Sequence, residues 1–426
     1  MRRGKTADFG AALDRLTRMR HRAVTHRRGR TKPSGSPVLP AAKLKLSLTA
    51  REFAAILGIT VVFGLAAILG LSADSPAARP PPAVTSHRAS PVPSAAVPAA
   101  PSPGPAPAVP PSVTIAAVGD TMLGNTPDLP PEPQAYLDGV KHTLGSGAQV
   151  VFGNLEGTLT TVATSKCGPH PGRKCFAFKD PPGYVRYFKD AGFTVLNNAN
   201  NHSLDYGPAG QAQTVRTIHA AGLAQTGLPG EITVITANAV KVAFVAFAPY
   251  DYAASLLDLP AARALIERAG REAPIVVVYM HAGAEGSGAD HVTGREEYYL
   301  GEDRGNAEAF AHMAIDSGAS LVIASGPHVL RGMQFYKGHL IAYSLGNFAS
   351  YGDFSTSGDL SMSAILRVTL SSAGRFERAR IYPVQFRGHG QPIPGGAAVA
   401  FIAQLSAEDF GPTAAHVLPS GAIKAP

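Results

Sequence analysis

Short, nearly unbroken apolar runs recur along residues 112–351, and five of them stop on a polar side chain at a strand's end. They read TIAAVGD to Asp120, VVFGNLE to Glu156, TVLNNANNH to His202, IVVVYMH to His281 and LVIASGPH to His328. Runs of this length without alternation predict strands buried on both faces. The pattern predicts strands over 113–118, 150–152, 193–197, 275–280, 321–324 and 340–344. It also predicts a hairpin-like pair over 232–236 and 240–248. Helices are expected over 135–144, from Asp180-Pro181-Pro182 through Ala191, over 208–221 and over 307–317, with Pro and Gly as start and stop signals. Strand and helix alternate, which points to a layered α/β domain. Beyond Tyr351, residues 363–370 and 378–386 read as strands with no helix between them, and are expected to complete a sheet.

The region ahead of these runs is different. Residues 53–72 (FAAILGITVVFGLAAILGLS) carry no charge and are long enough to span a bilayer of ~30 Å as a helix. The basic arm 1–52 precedes them and, by the positive-inside rule, is expected in the cytoplasm. A cleaved signal peptide ending near Ser75-Pro76-Ala77 is the rival reading. Residues 73–111 are Pro/Ala-rich and read as an extended, disordered linker. The expected organisation is therefore a cytoplasmic arm (1–52), a transmembrane signal anchor (53–72), a linker (73–111) and an extracytoplasmic domain (112–426), a single-pass protein of the cell membrane.

Charge supports that division. The formal charge of the 426-residue chain is +8, but the first 52 residues alone carry +11, leaving about −3 for the rest. The high pI thus belongs to the arm, and a nucleic-acid partner is not expected. The two cysteines lie in SKCGPHPGRKC. A structural disulfide, contributing about 2.5 kcal/mol by chain entropy, is expected. A metal site using Cys167, His170 and Cys175 is the alternative.

Side chains at the carboxyl ends of strands in an open α/β sheet converge on one crevice. Here they include the carboxylates of Asp120 and Glu156, the amides of Asn154 and Asn201, and the imidazoles of His202, His281 and His328. Hard cations take carboxylates, and borderline cations take imidazole nitrogen as well. The set therefore suits one or two divalent ions, Mn, Zn or Fe, in a hydrolytic centre. Singly, each residue has an ordinary reading as a turn cap, a loop residue or a satisfied interior histidine. Their joint placement carries the inference. Nearby, Asn347, Glu285, His291 and Arg331 are candidates for the rim, with Arg331 a possible contact to an anionic substrate.

VGDTMLG, FGNLEGTL, NNANNHSLDYG, the strand-end His281, SGPHVLRG and AYSLGNF occur in an order that resembles the CapA (PGA_cap) family. This is the poly-γ-glutamate capsule-synthesis family, related to the calcineurin-like metallophosphoesterases. The resemblance covers 112–351 and implies an α/β fold, a four-layer α/β/β/α sandwich. It implies that Asp120 and His328 hold a first metal, that Glu156 bridges, and that Asn201 and His281 hold a second. His202 would be the general acid, oriented by Asp205. One departure stands out: the family often reads His-Pro-His where this chain has Gly326-Pro327-His328, so the second ion would lack a ligand. The resemblance implies a membrane-anchored hydrolase of capsule-polymer assembly, with an anionic surface polymer or its precursor and other membrane subunits of capsule synthesis as partners. The alternative is a non-catalytic polymer-binding or scaffold subunit.

Overall fold

The computed structural model describes residues 111–169 and 175–426. The chain enters a first sheet with β1 (Ser112–Thr121), passes through α1 (Asp138–Gly145) to β2 (Val150–Leu155), then through α2 (Val185–Asp190) to β3 (Val195–Asn197) and through α3 (Gly207–Ala220) to β4 (Ala224–Thr226). These four strands are parallel neighbours. A second sheet follows, from β5 (Thr233–Ala237) and β6 (Val240–Ala248), through α4 (Leu259–Glu272) to β7 (Ile275–His281), through α5 (Ala307–Asp316) to β8 (Leu321–Ser325), then β9 (Met333–Tyr336) and β10 (His339–Ala342). Its order is β9-β10-β8-β7-β6-β5, with β6, β7, β8 and β10 parallel. The chain returns to the first sheet on the side of β1 away from β2, with β11 (Asn347–Ala349) parallel to the end of β1, β12 (Met362–Ser371) antiparallel to its beginning and β13 (Phe376–Arg387) antiparallel to β12. Helix α6 (Ala398–Phe410) follows, and two short strands, His416–Val417 and Ala422–Lys424, extend the first sheet beyond β13.

The apolar runs are continuous because both faces of the central strands are covered. Along β7, Val277 and Tyr279 enter the core between the sheets. The alternating Val276, Val278 and Met280 instead meet α4 and α5 through Ile266, Phe310 and Ala311. On β1, Ile115 and Ala117 face the other sheet, while Ala116 and Val118 pack with Val140, Leu144, Phe188 and Ile218 of the helices. Two sheets thus stack face to face with helices outside them. Phe152 and Phe244 join the sheets directly, their rings stacked 5.7 Å apart.

Several local expectations are corrected. The helix expected over 135–144 is a 3-10 turn, Pro133–Ala135, followed by α1. Asp180 does not start a helix. It sits in a short strand, Lys179–Asp180, and accepts the Leu123 amide at 2.9 Å. Helix α4 was not anticipated, although Asp258 caps it by accepting from the Ala261 amide and Ala262, Leu265, Ile266 and Ala269 form its buried stripe. Cys167 and Cys175 are disulfide-bonded.

The membrane-anchored reading is also corrected. The span expected at 53–72, the basic arm and the linker up to residue 110 lie outside the described residues. Among the described residues, no helix is long and apolar enough to cross a membrane. The longest, α3 and α4, have 14 residues, and a span takes about 20. The expected single-pass fold preceded by a transmembrane helix, with its cytoplasmic N-terminus, therefore forms no part of the functional reading below.

Truncating Phe152 to Ala should lower the free energy of unfolding by about 3–5 kcal/mol, because the fully buried ring contacts both Phe244 and Tyr279. The chemical-denaturation midpoint of the variant against the parent checks this.

Candidate metal centre

Strand register lines polar residues up at one end of the sandwich. In the first sheet Asp120 stands opposite Asn347 on one side and Asn154 on the other, and Asn154 stands opposite Asn197. In the second sheet His281 stands opposite Ser325. Apart from Asn347, which opens β11, these positions lie at or near the carboxyl ends of parallel strands, so the two rows meet across the gap between the sheets. Gly119 makes the approach of β11 possible. The Asp120 amide donates to the Gly346 carbonyl at 2.9 Å, and a Cβ on Gly119 would lie 1.9 Å from that oxygen.

At the centre, Asp120, Glu156 and His328 each offer a ligand atom within 4.8 Å of the others. His281 adjoins through Glu156, with Nε2 3.7 Å from Oε1. His328 Nδ1 lies 3.2 Å from Asp120 Oδ2 and 3.8 Å from Glu156 Oε2. The polar atoms left over are more telling than the pairs. Asp120 Oδ2, both Glu156 oxygens, Asn201 Oδ1 and His281 Nε2 are buried without a hydrogen-bond partner. Each of them is, or is able to be, an acceptor. Burying an acceptor without a donor costs on the order of 1–3 kcal/mol, and a carboxylate more. Cations at the cluster would answer the Asp120, Glu156 and His281 atoms, and two carboxylates with imidazole donors suit a borderline divalent ion.

The tautomer of His281 follows from a hydrogen-bonded chain. Asp120 Oδ1 accepts from Asn154 Nδ2 at 2.8 Å and from Ser325 Oγ. Having donated to a carboxylate, Ser325 accepts from Tyr279 Oη, 2.5 Å away. The Tyr279 oxygen then accepts from His281 Nδ1 at 3.1 Å. That leaves Nε2 with its lone pair facing Glu156. Burial also holds the His281 pKa well below its ordinary value.

Burial raises the Asp120 pKa, but the adjacent His328 imidazole outweighs this and holds it at about 2. Burial, with the neighbouring Asp120 charge, lifts Glu156 well above the carboxylate range. Burial opposes the charge on His328, yet Glu156 and Asp120 raise it to about 10. Without a metal, Asp120 and His328 favour an ion pair, while burial pushes Glu156 towards its protonated form.

His202 stands at the rim, its Nδ1 2.8 Å from Asp205 Oδ2. Asp205 is fixed in turn by the Phe178 amide at 2.7 Å and by Lys166 Nζ at 2.7 Å. Burial lowers the His202 pKa in spite of Asp205. With Glu285, His328, Asn347, Phe178 and Phe354, His202 lines an open pocket of about 180 Å3.

Other sequence candidates fall into supporting positions. The Asn154 oxygen is occupied by the amides of Asn197 and Asn200, at 2.6 and 2.9 Å. Asn347 Oδ1 lies 2.8 Å from His328 Nδ1. Glu285 pairs with the buried Arg304 at 2.9 Å and keeps its other oxygen 3.7 Å from His328 Nε2. Arg331 does not face a ligand: it is wholly buried, bidentate to Glu297 at 2.9 and 2.6 Å, and donates to the Ala289 carbonyl. His291 lies elsewhere, against Asp409. Gly326 has φ +118°, and a Cβ there would stand 3.3 Å from the His281 ring. Tyr279, Ser325, Asn197 and Arg304 were not singled out from the sequence. Tyr279 was legible as the one polar tip within an otherwise apolar run.

Fold and donor set together define an α/β sandwich protein with a buried carboxylate–imidazole cluster able to coordinate a divalent metal. Residues 114–351 match the bacterial capsule synthesis protein family PGA_cap, and the chain belongs to that family. It is 32% identical over 185 residues to the capsule biosynthesis protein CapA of Bacillus anthracis, covering 38% of this chain and 42% of that protein. It is 32% identical over 181 residues to the PGA biosynthesis protein CapA of Bacillus subtilis, covering 38% and 44%. The chain thus spans less than half the length of these curated relatives. The 5'-nucleotidase precursor of Thermus thermophilus superposes with a TM-score of 0.35 at 12% identity, over 64% of this chain and 54% of that one, too slight a likeness to argue from.

Metal binding must expel the proton of His328, whose pKa Glu156 and Asp120 raise, against burial, to about 10. Apparent affinity should therefore rise with pH between 6 and 8, by up to roughly tenfold per unit for each proton released. Calorimetry in buffers of different ionisation enthalpy reads that release directly. Replacing Ser325 by Ala breaks the chain to Tyr279 and should weaken metal affinity by about 10–100-fold, measured by competition with a chromogenic chelator.

Proposed function

We propose that the protein is a metal-dependent hydrolase that cleaves a phosphoryl-type ester in the production of an anionic capsule-type polymer. The observation that carries this reading is the convergence of buried acceptors without donors beside His202. Family membership supports the connection to capsule polymers. Asp120, Glu156 and His328 would hold an ion, and His281, which adjoins Glu156, would serve a second together with Asn201. When bound, a divalent metal supplies Lewis acidity that polarises an ester oxygen and acidifies water.

The chain's own residues supply the rest. Asp205 holds the Nδ1 proton of His202 and stabilises the imidazolium, so Nε2 can give a proton to the departing oxygen. Phe178 packs against the His202 ring at 4.2 Å and limits its rotation. Asn347 orients His328, and the Asn154 amide holds Asp120 in place. Phe178 and Phe354 narrow the pocket and exclude water from one wall.

The test is elemental analysis and turnover together. The parent protein should carry one or two Mn, Zn or Fe ions and hydrolyse a chromogenic phosphodiester or phosphomonoester, and Asp120→Ala should lose the metal. His202→Ala should keep the metal while kcat falls by about 10²–10⁴-fold. A metal-loaded parent without turnover on any ester would move the reading to polymer binding.

A further inference from the structure

Helices cover the outer face of the first sheet only in part. On β12 and β13, Leu366, Val368, Ala379 and Ile381 enter the inter-sheet core. The alternating residues Arg367, Thr369, Arg378, Arg380 and Tyr382 therefore point outward. With Thr114 and Gly147 they line a pocket of about 300 Å3 beside the end of α1. Thr114 precedes Asp120 by six positions on β1, which places this pocket about 20 Å from the metal cluster at ~3.3 Å per residue.

The charge arrangement is unfavourable without a ligand. Arg367 stands directly opposite Arg380, and Arg378 opposite Thr369. Like charges at facing positions destabilise a strand pair. Among the described residues, none of the three arginines forms an ion pair with a carboxylate. They are nevertheless held in place. The Tyr382 ring lies 4.6 Å from the Arg367 guanidinium and 5.7 Å from that of Arg380. Arg367 donates to Tyr382 Oη at 2.9 Å and to the Thr143 carbonyl at the end of α1, while its Nε is buried without a partner. Arg380 donates to the Ser420 carbonyl through Nε and Nη2, at 3.1 and 2.8 Å, which leaves Nη1 free. Arg378 is exposed beside them.

We propose that this arginine pocket is an anchoring site for the carboxylates of an acidic polymer chain. Guanidinium groups match carboxylate geometry. These are spread along two strands on an open sheet face, which suits successive carboxylates of a chain better than one enclosed small anion. The choice of an acidic polymer over another carboxylate ligand rests on the capsule-polymer reading above. The site would hold polymer away from the metal cluster, so binding and hydrolysis are separable.

The experiment uses the full chain and a fluorescein-labelled γ-linked glutamate oligomer, read by anisotropy, with free glutamate and inorganic phosphate as competitors. Arg378→Glu and Arg380→Ala should each weaken oligomer binding by roughly tenfold or more. Arg378→Lys should retain part of it, and binding should weaken as salt rises. Metal content and turnover of a small phosphoester should not change in these variants, so a failure of the hydrolase reading shows up separately. Oligomer affinity unchanged by both substitutions would overturn the proposal. So would inorganic phosphate displacing the oligomer at concentrations where free glutamate does not, since that result assigns the pocket to a phosphate.

Discussion

Two carboxylates, Asp120 and Glu156, are held close together in a crevice that excludes water, and the organisation of the domain follows from that arrangement. Their charges cannot both remain there unless something positive is brought to them. His328 supplies part of the answer, by pairing with Asp120, and burial pushes Glu156 towards its neutral form. The remaining acceptors, from His281 and Asn201, still face inward without donors. A site with this imbalance is prepared for a cation in advance, and the cost of preparing it is met by the packing around it.

That packing explains why the cluster survives. The strands that carry the ligands are buried on both faces, against the other sheet and against a helical layer. Their ends are therefore among the best-fixed points of the fold. Hydrogen bonds then reach across the gap between the sheets: Ser325 of the second sheet donates to Asp120 of the first, and through Tyr279 the same chain sets the proton of His281. The backbone contributes as well. Gly119 admits Gly346 at a distance no side chain would allow, and so brings Asn347 and His328 to Asp120.

The sequence was informative where chemistry sits at the tip of a strand. Asp120, Glu156, His281 and His328 each terminate an apolar run, and the structure gathers all four. It was less informative where a residue's role depends on a partner far away in the chain. Arg331 looked free to meet a substrate, yet Glu297, 34 positions earlier, and the Ala289 carbonyl occupy its donors. Asn154 offered an amide oxygen in the sequence, yet Asn197 and Asn200 take that oxygen and its amide instead supports Asp120. Helix α4 is legible in the sequence from its Asp258 cap and its apolar stripe. The expected membrane helix at 53–72 found no counterpart among the described residues.

By itself, the sequence determined that the domain is a layered α/β structure with donor residues at successive strand ends, because hydrophobic periodicity and side-chain type are local properties. It also determined membership of the capsule synthesis family, whose motifs are contiguous. Only the tertiary structure decided which donors share one crevice, which are already satisfied by a neighbour, and which way the His281 proton points. Those outcomes depend on register between strands and on burial, and both arise from contacts between residues as far apart as Asp120 and Ser325. The arginine pocket is of the same kind. Its residues are unremarkable along the chain, and become a site only when antiparallel pairing sets Arg367 against Arg380.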